Sequence, residues 1–395
     1  MSRYLIIGAI CGLAWSAALR GWMAELTISM PNTQSQVTWL TLVLVLLPGV
    51  AVGTTLGYSA YLRTVGRGGS RWLIFSPILF ASALLDPRIF ISLITDGLGA
   101  GSLLTIATAL SLGYVLTRPH WSISRALTAM LCAVGLLIVF GIGEMAAPLG
   151  TPRGMWVGLF GVALVMLLGI ASVLPYRPLR RSLGARWWIA LGSLAGFAWA
   201  AGLRSFMAQV AIKDGSSITW SGTFLWILAP GLVTGGLLGW AAYLRRHGGP
   251  RLSHWLASSP FLFAALLVPP LLTLDFEEFF AAAIGGGTIG VPAAALAGAY
   301  ALAGRRTWLR ILSSLFPLSS IPIWVLTASQ IGGDQLGLDT ARGLWVALYY
   351  WSLLGVIALA CAIPMRITPK GVHHGASDQP PVPGLASPRN TRHAH

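Results

Sequence analysis

Apolar runs of about 20 residues follow one another along the whole chain, each long enough to cross a hydrocarbon core of about 30 Å. Of its 395 residues, 9% are charged and 55% hydrophobic, against about 25% charged in a soluble globular domain. No stretch between the runs is long enough to fold as a separate soluble domain. The chain reads as an all-α polytopic membrane protein, and its first expected partner is the lipid bilayer.

The net charge of +15 raises nucleic acid as a partner, but the placement of the charge argues against it. The basic residues are spread over short loops between apolar runs, the pattern of cytoplasmic loops that collect Lys and Arg. All but Lys213 and Lys370 of the 26 basic residues are Arg. That skew, with abundant Ala and Gly, suits a GC-rich bacterial genome, and hence a bacterial plasma membrane. Cys11, Cys132 and Cys361 lie inside apolar runs and form neither a disulfide framework nor a metal spacing. They read as small hydrophobes packed among helices. His373, His374, His393 and His395 fall in a polar, Pro-rich tail, expected to be disordered and without the rigid spacing a metal needs. No metal or cofactor is expected. Arg3, an apolar stretch and then small residues imitate a secretory leader. The stretch returns at residues 188–204, so a retained helix is expected.

That return is part of a longer duplication. AWSAALRGWM (14–23) matches AWAAGLRSFM (198–207) at six of ten positions, Arg20 and Arg204 among them. TWLTLVLVLLPGVAVGTTLGYSAYLR (38–63) answers to TWSGTFLWILAPGLVTGGLLGWAAYLR (219–245). RWLIFSPILFA (71–81) answers to HWLASSPFLFA (254–264), and TPRGMWV (151–157) to TARGLWV (340–346). The offset drifts only from 181 to 189 residues, so the match covers nearly all of both halves. The first half reads as six helices near 4–26, 38–62, 71–94, 97–117, 124–144 and 154–175. The second reads as six near 187–211, 220–244, 254–274, 279–303, 309–331 and 343–363. Asp86-Pro87-Arg88 interrupts the third, where proline should break or kink the helix. The expected fold has about twelve transmembrane helices as two parallel six-helix repeats, 1–178 and 187–366. A basic cytoplasmic linker, 179–186, joins them, and the cytoplasmic tail is 367–395.

Charge placement supports the count. With both termini cytoplasmic, inner loops and termini hold 20 of the 26 basic residues. The outer side holds Arg20, Arg88, Arg153, Arg204, Lys213 and Arg342, and ten of the eleven acids. An odd number of helices per repeat would scramble this segregation. Six leaves the copies related by an axis along the membrane normal.

The second helix of each half carries glycines four apart: Gly49, Gly53 and Gly57, then Gly231, Gly235 and Gly239. Small residues at that spacing let another backbone come close, as static packing or as a surface along which a neighbour slides. Pro48 and Pro230 precede the stripes, and each should remove one backbone hydrogen bond and bend its helix toward the outer end. The loops that follow, AYLRTVGRGGSRW and AYLRRHGGPRLSHW, carry Arg63, Arg67, Arg245 and Arg246. With the doubled topology, short loops and cytoplasmic ends, they make the chain resemble the major facilitator superfamily. That family's loop between helices two and three runs Gly, three residues, Asp-Arg, one residue, then Gly and basic residues. Gly57, Arg63, Gly66 and Arg67 fall in one such loop, and Gly239, Arg245, Arg246 and Gly248 in the other. Tyr61 and Tyr243 stand where the family has aspartate. Positive-inside charge alone accounts for the same basic residues. The resemblance implies two bundles that alternate access, with the first and seventh helices flanking a central cavity.

Nothing catalytic emerges. GGGTIG (285–290) fits G-x-G-x-x-G, but it opens an apolar helix and reads as helix packing. There is no H-E-x-x-H, G-x-S-x-G or paired Cys motif, so an enzyme is not expected. One acting on lipid-linked substrates would need Asp86, Asp275, Glu277 and Glu278 to converge. Glu277 and Glu278 sit at a helix start, where they complement its dipole.

Arg20 and Arg204 each lie sixteen residues beyond their matched starting points, Tyr4 and Trp188, roughly 24 Å along a helix. A charge facing lipid at that depth costs at least about 2 kcal/mol. Three fates follow: snorkelling to the outer surface, pairing with an outer acid such as Glu144, Asp96 or Asp334, or lining a central cavity that receives an anion. Glu25 lies about 140° round the helix from Arg20 and is not its local partner; Gln209 stands at the matching place. Arg153 and Arg342 add a second matched pair. The expected function is secondary transport of a small solute, anionic if these four arginines contact it. A non-transporting membrane scaffold is the rival. Every acid in the helical region lies near the outer end, which argues against proton coupling through a mid-membrane carboxylate.

Overall fold

The computed structural model describes residues 1–27, 37–67, 71–87, 90–91, 100–118, 120, 122–175, 184–211, 217–247, 255–272 and 287–365. Among the described residues there are helices and turns but no strand. In chain order the helices are α1 (Ser2–Thr27), α2 (Trp39–Thr64), α3 (Arg71–Leu85), α4 (Ala100–Thr117), α5 (Ile123–Met145) and α6 (Pro152–Ala171). They continue as α7 (Ala185–Val210), α8 (Trp220–Arg246), α9 (Leu256–Leu267), α10 (Gly290–Ala303), α11 (Thr307–Gly332) and α12 (Ala341–Met365). Eight of them (α1, α2, α5, α6, α7, α8, α11 and α12) are long and apolar enough to cross a membrane. The other four are apolar and shorter in their described extent. The chain is thus built as a multi-pass membrane protein. Of the expected linker, 179–186, residues 179–183 lie outside the described residues, as does the whole expected tail, 367–395, and residues 185 and 186 already belong to α7.

The glycine stripes act as close-packing faces. A methyl group at Gly53 would strike the carbonyl of Gly8, and one at Gly57 the carbonyl of Tyr4. Gly49 faces Ser16 and the carbonyl of Gly12. On α8, Gly235 meets Gly192, Gly231 meets Gly196 and Ala200, and Gly239 meets the carbonyl of Trp188. So α1 lies antiparallel against α2, and α7 against α8, backbone to backbone. Association inside a bilayer runs on such van der Waals contact, because lipid supplies no hydrophobic drive between helices.

The prolines that head these stripes do not simply bend their helices. Leu42–Leu46 and Trp220–Leu228, just before Pro48 and Pro230, are wound as π-helix, a wider turn that absorbs a missing i→i−4 bond. Pro48 removes the i→i−4 donor of the Leu44 carbonyl. The Ser82 hydroxyl on α3 lies 3.1 Å from that carbonyl and 2.6 Å from the Leu79 carbonyl, its one proton serving either. The segments α3 and α9 are 3-10 helices with Pro77 and Pro260 inside them. The expected third helix, 71–94, is interrupted at Asp86. Helix resumes at Pro87, with Phe90 N donating to the Asp86 carbonyl at 2.9 Å. The proline thus sits at the start of a new turn, after the short break that the sequence led one to expect.

The centre is formed by α1, α6, α7 and α12, whose buried side chains make one continuous apolar cluster. Tryptophan indoles tie these helices together. Trp15 Nε1 donates to the Leu164 carbonyl at 2.8 Å, and Trp22 Nε1 to that of Val157 at 2.8 Å. In the second half, Trp199 Nε1 donates to the Leu353 carbonyl at 2.9 Å. Trp15 packs on Phe80 with ring centroids 4.7 Å apart, and Trp199 on Phe263 at 5.4 Å. At the periphery, α5 and α11 turn Leu127, Met130 and Leu137, and Ile311, Leu315 and Leu326, outward. A helix apolar on its outer face is what a bilayer covers.

Candidate functional site

The end of the molecule reached by the last turns of α1 and α7 is called distal, and the end holding the N-terminus proximal. Both α6 and α12 begin at the distal end, and each start is fixed by a threonine. Thr151 Oγ1 accepts from Gly154 N at 3.3 Å, and Thr340 Oγ1 from Gly343 N at 2.9 Å. Such caps satisfy helix N–H groups that have no partner within the helix. They set Arg153 and Arg342 in the first turns, beside the ends of α1 and α7. A cation at a helix N-terminus opposes the dipole, so each of these arginines gains from a nearby acceptor.

Those acceptors are Glu25 and Gln209. The Glu25 side chain is 1% exposed. Its Oε2 accepts from Arg153 Nη2 at 3.0 Å, and its Oε1 from Gln209 Nε2 at 3.2 Å. The Gln209 carbonyl in turn accepts from Arg342 Nη2 at 3.2 Å. The result is one chain of polar contacts, Arg153–Glu25–Gln209–Arg342, that crosses from the first half of the sequence to the second.

Arg20 and Arg204 are 7% and 5% exposed. Neither snorkels. Arg20 lies over the ring of Trp345, 5.5 Å from its centroid, and Arg204 over Trp156 at 5.9 Å. Each arginine thus stacks on a tryptophan of the opposite half. Cation–π contact of a desolvated guanidinium contributes about 2 kcal/mol. Arg204 also donates through Nη2 to the Ser217 carbonyl at 2.7 Å and through Nε to Thr223 Oγ1 at 3.4 Å. Between the two lies a tight crossing of α1 and α7, where Tyr349 Oη donates to the Gly202 carbonyl at 2.7 Å.

All four arginines singled out in the sequence therefore gather at the distal end. Of the acids expected to pair with them, Glu144 and Asp334 form no salt bridge with them among the described residues. Glu144 instead accepts from the backbone N–H of Leu149 at 2.7 Å, and the described salt bridge is Arg153–Glu25. Asp96, Lys213 and Arg88 lie outside the described residues, as do Asp275, Glu277 and Glu278. Sequence reasoning missed that Glu25 and Gln209 join the arginines, and that Trp156 and Trp345 cover them. The signal was present, since both pairs recur at matched places in the duplicated segments.

The proximal loop arginines have structural partners. Arg63 Nη1 donates to the Leu174 carbonyl at 3.4 Å, and Arg245 Nη1 to that of Ile363. Each ties the end of one helix to the last carbonyls of another. Arg246 stacks on Trp188 at 4.4 Å, while Arg67 is exposed. Gly248 and residues 285–286 of GGGTIG lie outside the described residues. No group of His, Cys, Asp and Glu suited to a metal occurs among the described residues.

Compared with known proteins, the chain matches no family model, no curated protein and no solved structure. The resemblance to the major facilitator superfamily thus has no family match behind it.

Proposed function

We propose that this protein is a secondary transporter of a small anionic solute, made of two like-oriented six-helix halves that rock about an axis between α1 and α7. The observation that carries the reading is the distal cluster. Four arginines, two from each half, gather at that end, and among the described residues one buried carboxylate, Glu25, joins them. Guanidinium groups are costly to bury inside a membrane, and ionisable side chains found there commonly line a solute path. The cluster's contacts also run between the halves, so they are the ones that must exchange when the distal side opens.

A scaffold without transport is the second reading, and one observation favours it: both deeply buried arginines are already stacked on tryptophan. Flux separates the two. The full chain in proteoliposomes should move small organic anions, and Arg20→Leu and Arg204→Leu should each lower that flux at least about tenfold while the protein still inserts. Normal insertion with unchanged flux in both variants ends the transporter reading for this site.

A further inference from the structure

The two helices that cross at the centre are covered unevenly along their length. In α1 every residue from Ser16 to Trp22 is buried, and in α7 every residue from Ala198 to Gly202. Toward the proximal end the cover is lost. No residue of α1 before Gly12, and none of α7 before Ala198, is buried. Cys11, which the sequence led one to expect packed among helices, is exposed, while Cys132 and Cys361 are buried. Ala195, at the matching place in α7, is exposed too.

The helix faces show what these two residues look onto. Cys11 lies four residues before Trp15, which bonds to α6, and seven before Ala18, which meets α7 at Gly202. Ala195 lies four before Trp199, which bonds to α12, and seven before Gly202 itself. Positions four and seven apart share a helix face, so both residues are on faces turned into the bundle. The other flanks of α1 are taken. Gly8 and Gly12 lie on α2, and a methyl on Gly355 of α12 would stand 3.0 Å from Ile10 Cγ2. On α7, Gly192 and Gly196 lie on α8. The exposure at Cys11 and Ala195 is therefore an opening between the halves, shut at its distal end by the Ala18–Gly202 crossing.

The chemistry along this opening is one-sided. From Tyr4 to Leu19 of α1, and from Trp187 to Leu203 of α7, no residue is charged. Ile7 and Leu191 stand one turn nearer the mouth on the same faces as Cys11 and Ala195. Arg20 and Arg204 follow two residues beyond the crossing. Apolar walls give a hydrated inorganic ion nothing in return for its lost water. They suit an organic anion with an apolar body. We propose that the proximal parts of α1 and α7 form a cleft that admits such an anion, its body along Cys11 and Ala195 and its charge toward the Arg20–Arg204 end. That this anion is also carried across rests on the transporter reading; the cleft does not.

The native thiol reports on the cleft without substitution. Cys11 is about 14 Å along α1 from Ser2, a depth at which hydrocarbon excludes a charged reagent. The full chain in phosphatidylcholine nanodiscs is treated with a methanethiosulfonate that carries a sulfonate. Cys11 should react at least about tenfold faster than Cys132 or Cys361, read by mass spectrometry, and Cys11→Ala should abolish the fast reaction. Ala195→Cys in the Cys11→Ala background should restore it, and no reaction there in a folded protein overturns a cleft shared by both halves. Reaction of Cys11 with uncharged N-ethylmaleimide alone, or with neither reagent, overturns the cleft outright. Octanoate at about 1 mM should slow the reaction at least about fivefold, and acetate and octan-1-ol at the same concentration should not. No protection by octanoate, or equal protection by acetate or octanol, overturns the ligand class. Flux of octanoate in proteoliposomes is measured separately. Protection without flux refutes transport alone, and flux without reaction at Cys11 refutes the cleft alone.

Discussion

Glu25 shows how much can hang on one side chain. It is 1% exposed and accepts from both Arg153 and Gln209, so removing it strands a guanidinium. Breaking a fully buried pair costs about 3–5 kcal/mol. The Arg153 side chain keeps 27% of its exposure, which reduces the expected cost of Glu25→Leu to about 1–3 kcal/mol. Adding Arg153→Leu should recover part of that loss, read as a rise in the unfolding temperature followed by tryptophan fluorescence in detergent. A double variant as unstable as the sum of the singles contradicts the pairing. Trp22 combines two contributions. Its indole donates to the Val157 carbonyl and its larger ring fills the space over Gly161. Trp22→Phe should therefore cost about 1–3 kcal/mol, the about 0.6 kcal/mol of a hydrogen bond between membrane helices plus the void that the smaller ring leaves. The arginines were legible in the sequence because each occurs twice. The partner of Arg153 was not, because Glu25 lies 128 positions away and only the packing of α6 on α1 brings them together.

The helices were legible from their apolar runs, and the glycine stripes announced which faces would touch. What stayed hidden was the answering surface: Gly8, Gly12, Gly192 and Gly196, in pairs rather than triplets, received the stripes. A contact between backbones leaves no room for side chains, and it predicts a sharp contrast. Gly53→Val pushes a branched side chain into the Gly8 carbonyl and the Gly12 Cα and should cost more than the about 1–3 kcal/mol of ordinary overpacking. Gly101, on α4, has nothing within 4 Å of its Cβ position, so Gly101→Ala should be neutral or stabilise by up to about 1 kcal/mol. Unfolding temperatures of the two purified variants decide it, and equal shifts would refute the close packing of α1 on α2. The π-wound turns were not legible, because proline in the sequence announces a lost hydrogen bond without saying how the neighbours absorb it. At Pro48, Ser82 is part of the answer. Because the Leu79 carbonyl shares the Ser82 proton, Ser82→Ala should cost at most about 1 kcal/mol in the wild type and less when Pro48→Ala restores the helical donor, a coupling that a double-mutant cycle measures.

At the scale of the whole molecule, the two halves meet where α1 crosses α7, and there geometry permits a direct trial. A Cβ at Gly202 would lie 3.8 Å from the Cβ of Ala18, the mean separation across a disulfide of about 3.8 Å. Few side chains stand in the way, the nearest being the Tyr349 hydroxyl at 3.2 Å from that position, which must yield by a few tenths of an ångström. The background needs Cys11, Cys132 and Cys361 replaced by alanine; Cys132 and Cys361 are buried, so the parent is first checked for normal stability. Ala18→Cys with Gly202→Cys should then cross-link under mild oxidation, seen as an altered gel mobility after cleavage in the linker at 179–183. Failure to cross-link in a folded protein would mean that the halves do not pack as described. Once formed, the bond fixes a crossing about which rocking halves would have to turn. Under the transporter reading, oxidation should abolish flux and reduction restore it. A scaffold has no motion at that crossing to lose, so a bond that forms readily and leaves flux untouched would place the moving parts of any transport cycle elsewhere in the bundle.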